Sequence, residues 1–114
     1  MIAQGEVWWA ELPEPAGSGP GYRRPVVVVQ AERINRSRIA TILCVPLTSN
    51  LKWAAAPGNV PLSTRATGLA LDSVANVSQL TAIDKSLLAE RVGKLPRGRL
   101  ELVFAGIDLL LGRD

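Results

Sequence analysis

Gly17-Ser18-Gly19-Pro20-Gly21-Tyr22-Arg23-Arg24-Pro25-Val26-Val27-Val28-Val29-Gln30 passes from a glycine-rich loop into four consecutive valines. A short β-branched run between turn signals predicts a strand buried on both faces. Pro25 fits as its first residue, where a missing N–H breaks no ladder bond. Upstream, Gly5 to Leu12 contains Val7, Trp8 and Trp9 and predicts another strand, ended by Pro13. Strand side chains alternate between faces, so one tryptophan is expected to face the core and the other outward. Pro13 to Tyr22 holds three prolines and three glycines and reads as a loop.

Downstream, the polar and basic stretch Ala31 to Ser37 predicts one helical turn, and Ile39 to Leu47 a third strand. Thr48 to Gly58 reads as a second loop carrying Trp53. Val60 to Leu62 and Val74 to Ile83 read as further strands, with a turn around Thr67-Gly68 between them, and Arg91 to Leu95 as a last short strand. After Pro96, the residues Leu100, Val103, Phe104, Ile107, Leu110 and Leu111 recur at helical spacing. Pro96 suits the first turn of that helix and Gly112 its end. The apolar stripe reads as core-facing, with Asp108 left for water or a partner subunit. The expected fold is mainly β with a C-terminal helix: a small, strongly curved sheet or barrel closed by the helix, one domain over residues 1–114.

Composition narrows the chemistry. The chain has 114 residues, no histidine and a single cysteine, Cys44. No imidazole base is available, so Ser-His-Asp triads and paired-histidine nucleases are excluded. One cysteine makes neither an internal disulfide nor a zinc site, and within Ile42-Leu43-Cys44-Val45 it reads as a buried, inert thiol. The ten carboxylates are scattered, without the clustering a magnesium site needs. No cofactor or metal is expected. No signal peptide or membrane-spanning stretch is read, which points to a cytoplasmic protein. The net charge is only +3, yet residues 23–65 carry Arg23, Arg24, Arg33, Arg36, Arg38, Lys52 and Arg65 against Glu32 alone. Such clustering suits a polyanion.

The Gly-Ser loop delivering Arg24-Pro25 to a buried strand resembles the MazF/PemK family of toxin endoribonucleases. The resemblance continues in Val45-Pro46-Leu47-Thr48, in Asp72-Ser73-Val74-Ala75-Asn76-Val77-Ser78-Gln79 and in Ile107-Asp108-Leu109-Leu110-Leu111-Gly112. It implies an SH3-like barrel of the MazF/CcdB/Kid type, a homodimer, and metal-free cleavage of single-stranded RNA (mRNA) leaving a 2′,3′-cyclic phosphate and a 5′-hydroxyl. It also implies a small acidic antitoxin (MazE-like) as protein partner. On this match Arg24 corresponds to the family's catalytic arginine and Thr48 to its partner threonine. Many members carry an acidic residue directly after the Gly-Ser, where this chain has Gly19.

Elementary chemistry leads to the same residues. RNA carries its own nucleophile, the 2′-hydroxyl, so an enzyme need only hold in-line geometry and neutralise charge growing on the phosphoryl oxygens. Arginine offers a fixed cation and a fork of donors that matches phosphate. Preorganised donors of this kind are each worth ~3–4 kcal/mol of barrier. DNA, lacking the 2′-hydroxyl, cannot be cut this way. Thr48 adds a hydroxyl; Ser18 fits either a plain turn or a phosphate contact. Gln79 fits a bond within the site, a contact to RNA or a solvent-facing strand position. Tyr22 and Trp53 lie in the two loops beside the groove and could stack on unpaired bases, though a core place for Trp53 also fits. Arg23, Arg36, Arg38, Lys52 and Arg65 are the expected phosphate contacts. With Gly19 in place the proton acceptor stays unassigned, and an arginine, with a pKa above ~12, is a costly proton donor. Two competing readings are a same-fold toxin that inhibits a protein target, as gyrase-poisoning CcdB relatives do without the Arg-Pro and Thr pairing, and a non-catalytic RNA- or protein-binding barrel, to which Gly19 lends weight.

Overall fold

A computed structural model of the chain describes residues 1–15, 17, 19 and 22–114. The valine run lies in β2 (Arg23–Val28), between β1 (Glu6–Glu11) and β3 (Thr41–Thr48), antiparallel to both. Val26, Val27 and Val28 are fully buried and Val29 nearly so. Alternation sends Val27 and Val29 into the main core, with Val7, Val45, Leu47 and Val103, and sends Val26 and Val28 into a second cluster with Ala10, Ile42, Cys44 and Ile83. Burying a valine side chain contributes roughly 1.5–3 kcal/mol, so this run anchors both clusters.

The sheet order is β4 (Val60–Leu62), β5 (Ser73–Ala75), β3, β2, β1, β7 (Leu88–Lys94), with β6 (Thr81–Asp84) also paired to β3. Helix α1 (Glu32–Asn35) links β2 to β3, and α2 (Thr64–Thr67) links β4 to β5. Helix α3 (Arg97–Leu110) follows β7 and closes the main core through Leu100, Val103, Phe104 and Ile107. Its close seat depends on glycine: a Cβ on Gly106 would lie 2.1 Å from the Gly58 carbonyl oxygen. A mainly β fold with one C-terminal helix is therefore borne out, as a curved half-barrel under α3. Among the described residues, no helix is long and apolar enough to cross a membrane.

Local readings are corrected at five places. Residues 74–83 are not one strand: β5 and β6 border the two halves of β3, separated by a 3₁₀ turn at Val77–Gln79. The break falls beside Pro46, whose carbonyl accepts the Asn76 N–H (3.0 Å) but which offers no N–H to a neighbouring strand. The turn around Thr67-Gly68 is the helical turn α2, with Ser63 accepting the Ala66 N–H at its start and Gly68 left-handed (φ 85°) at its end. Pro25 is the third residue of β2 rather than the first. It is tolerated because β2 there pairs only with β1, its ladder to β3 beginning at Val26. Trp8 does not face outward but packs on the second cluster, while Trp9 packs on the main core. Leu110 and Leu111, assigned to the core stripe, are 44% and 62% exposed because α3 runs past the sheet there. Asp108 pairs with Arg113 at 3.3 Å.

Candidate nucleic-acid interface

The β2–β3 ladder sets Val26 opposite Pro46. Arg24 and Thr48 each lie two residues beyond that pair, past the end of the ladder, and line the same depressions. Arg24 is held from the β1 side by pairing with Ala10, and its Nη1 donates to the Leu47 carbonyl at 3.3 Å. Its Nε is buried and has no hydrogen-bond partner among the described residues. Leaving a buried donor unsatisfied costs about 1–3 kcal/mol, more for a charged group, and an anionic oxygen would remove that cost. No carboxylate pairs with Arg24 among the described residues, whereas Arg23 next to it is bound by Glu11 at 2.6 Å and approached by Glu90 at 3.9 Å. Thr48 pairs with Val74 of β5, and its hydroxyl accepts the Asn50 N–H at 3.2 Å.

Two depressions meet at Arg24 and Thr48. The first, about 450 Å³, is polar: Gly19, Trp53, Asn76, Ser78 and Gln79 line it with the shared pair. The second, about 300 Å³, is mainly apolar and lies between Trp9, Pro25, Leu47, Leu69 and Leu71, with Arg23 at its border. No carboxylate lines either depression among the described residues. A cation, hydroxyls and amides without a competing anion make a site suited to phosphate.

The other candidate residues divide by location. Trp53 is 46% exposed in a 3₁₀ turn (Leu51–Ala55), and the Lys52 ammonium lies 5.4 Å from its ring. Gln79 lines the polar depression. Tyr22 is exposed and takes a left-handed φ of 59°, its backbone closing the loop onto Leu12 and Pro13. Ser18 lies outside the described residues. Arg36 and Arg38 precede Thr41, and the eight-residue β3 puts that end roughly 23 Å from Thr48. Neither lines the two depressions. Arg65 in α2 borders a separate depression with Arg99 and Leu102. The basic cluster of residues 23–65 is thus distributed over three parts of the surface.

Several residues at the site were not among the site residues expected from the sequence. Asn59 accepts the Val77 N–H (3.0 Å) and donates to the Trp53 carbonyl (2.9 Å) and to Asn76 Oδ1 (3.3 Å), tying together the segments that carry Trp53 and Gln79. Trp9, Leu71, Asn76 and Ser78 line the depressions. The Pro57-Gly58-Asn59 turn was the available signal for Asn59; Leu71 carried none. The thiol of Cys44 is excluded as a nucleophile, since burial pushes its pKa up to about 12. Among the described residues no three His, Cys, Asp or Glu side chains converge as a metal site would require.

Fold and groove together define a class: a small half-barrel protein with an arginine and a threonine set between two depressions that no carboxylate lines among the described residues. Residues 3–111 match the family described as PemK-like, MazF-like toxin of type II toxin-antitoxin system, and the chain belongs to that family. It is 41% identical over 111 residues to Endoribonuclease MazF6 of Mycobacterium tuberculosis, covering 97% of each chain. Among solved structures it is similar to MazF from Deinococcus radiodurans, with a TM-score of 0.81, 26% identity and coverage of 97% of this chain and 96% of the other. It is likewise similar to a chain of the MazE-MazF structure from that organism (TM-score 0.78, 25% identity, 99% and 97% covered).

Proposed function

We propose that this chain is the endoribonuclease toxin of a toxin–antitoxin pair and cleaves single-stranded RNA by attack of a 2′-hydroxyl on the adjacent phosphorus, without a metal ion. The observation that supports this reading best is the buried Arg24 Nε, without an acceptor among the described residues, beside Thr48 and between two depressions that no described carboxylate lines. In the reaction the 2′-hydroxyl loses its proton to solvent as its oxygen bonds to phosphorus, and the bond to the 5′-oxygen breaks as that oxygen takes a proton from solvent. The products carry a 2′,3′-cyclic phosphate and a 5′-hydroxyl. Arg24 donates to the phosphoryl oxygens as charge accumulates on them, and Thr48 donates its hydroxyl O–H alongside. The residue inventory supports metal independence: the sequence has no histidine, its one cysteine is buried, and the groove holds no carboxylate among the described residues.

Gln79 and Ser18 support the phosphate or its neighbours. Trp53 and Tyr22 serve as stacking surfaces, and Arg23, Lys52, Arg65, Arg36 and Arg38 contribute positive potential along the RNA. A small acidic MazE-like antitoxin and a second copy of the chain are the protein partners, and the cytoplasm is the working compartment. The test is purified protein incubated with single-stranded RNA in excess EDTA. Arg24→Ala is expected to cut at least about 100-fold more slowly than wild type while keeping its circular dichroism spectrum. Cleavage by Arg24→Ala at the wild-type rate would remove Arg24 from the chemistry. Products ending in 5′-phosphate would reject attack by the 2′-hydroxyl.

A further inference from the structure

The second depression is mainly apolar, yet it shares Arg24 and Thr48 with the polar groove. Whatever fills it must therefore adjoin the group held by those two residues. Its volume of about 300 Å³ is at the small end for ligand pockets, ~300–1,000 Å³, and suits one planar ring system rather than a length of chain. Trp9 stands in β1 opposite Pro25 and is packed against the main core from behind. The Arg23 guanidinium lies 4.8 Å from its ring centroid, held there by Glu11. This leaves Arg23 less free to serve as an independent phosphate contact and makes it part of a fixed cation–aromatic wall. Leu71, 65% exposed, lines the same depression from the segment that precedes β5.

We infer that this depression is a nucleobase pocket, receiving one of the two bases that flank the scissile phosphate by stacking on the Arg23 guanidinium that covers Trp9 and by contact with Leu71. The inference rests on the ribonuclease reading above. Its lining favours a flat π-face over a hydrogen-bonding edge, because the walls are largely apolar. The polar depression on the other side of Arg24 and Thr48, lined by Asn76, Ser78 and Gln79, presents amides and a hydroxyl to the base on that side. Selectivity is consequently asymmetric across the cut. One flanking base is chosen by shape and stacking strength, the other by its edge.

The test is cleavage of a random-sequence single-stranded RNA pool, with end-mapping of the products, by wild type, Leu71→Asp, Trp9→Leu and Trp9→Phe. Leu71 is exposed, so Leu71→Asp reports on the pocket without the core consequences of Trp9→Leu. Both substitutions are expected to raise KM about tenfold, more than they lower kcat, and to flatten the base preference at one flanking position only. Trp9→Phe is expected to restore the profile. Unchanged KM and unchanged preference in both variants would overturn the pocket. So would an effect confined to the affinity of the antitoxin, which would make the depression a seat for a protein side chain. Failure of the wild type to cut RNA would withdraw the underlying reading, a result distinct from normal cutting by the variants.

Discussion

Arg23 and Arg24 are adjacent in β2 and meet opposite fates. Arg23 pairs with Glu11 and stacks on Trp9, so its charge is partly spent within the fold. Among the described residues Arg24 has a 3.3 Å bond to a carbonyl and a buried Nε without an acceptor. A native protein holds such a group at a cost, and an anionic oxygen bound there would offset it. The fork geometry matters as well as the charge. Arg24→Lys is therefore expected to lose most of the activity, at least about tenfold, because an ammonium cannot span two phosphoryl oxygens as a guanidinium does; single-turnover cleavage measures it. Arg24 and Thr48 were legible in sequence as two motifs, and the antiparallel course of β2 and β3 explains why they line the same depressions. The roles of Trp9, Asn59 and Leu71 were not legible, since each depends on contacts between segments that strand periodicity does not encode.

At the scale of elements, the break between β5 and β6 places Asn76, Ser78 and Gln79 at the groove. One continuous strand over residues 74–83 would have paired these residues into the sheet. The apolar pattern there suggests a strand because both ends of the segment are strands, and only the missing N–H of Pro46 on the neighbouring strand hints at the gap. Helix α3 closes the other side of the same region, and its position is set by the contact between Gly106 and Gly58. Gly106→Ala would drive a Cβ into a backbone carbonyl that cannot rotate away. It is expected to destabilise the fold by at least about 1–3 kcal/mol, read as a lower denaturation midpoint, whereas alanine at Gly98, where a Cβ meets nothing within 4 Å, should be tolerated.

The molecule as a whole is stabilised away from the groove by a second polar centre. Glu6 is buried and accepts from the Ala3 N–H (2.8 Å), the Trp8 indole (3.1 Å) and Arg91 Nε (2.5 Å). Burial alone would raise its pKa, but those hydrogen bonds outweigh burial and hold it below the ordinary carboxylate range. A depressed native pKa contributes stability above the unfolded value of ~4.3, and that contribution is lost as pH falls through the native one. Glu6→Gln is expected to cost about 1.5–3 kcal/mol at neutral pH and to flatten the acid limb of a stability–pH curve, leaving activity per folded molecule intact. The overall β architecture and closing helix were legible because both rest on periodicity. The partition into two cores was not, because a residue that alternates outward can still join a second cluster built from distant segments, as Trp8 does with Ile2, Leu12 and Leu88. The central claim is that the substrate supplies its own nucleophile to a phosphate held by Arg24. It is tested most directly on an RNA oligonucleotide with one cleaved site, in EDTA, carrying a single 2′-deoxy substitution at the nucleotide whose 2′-oxygen must attack. That oligonucleotide should bind but stay intact, while a deoxy substitution one nucleotide further on leaves cutting unchanged; cleavage at the substituted position would contradict the account.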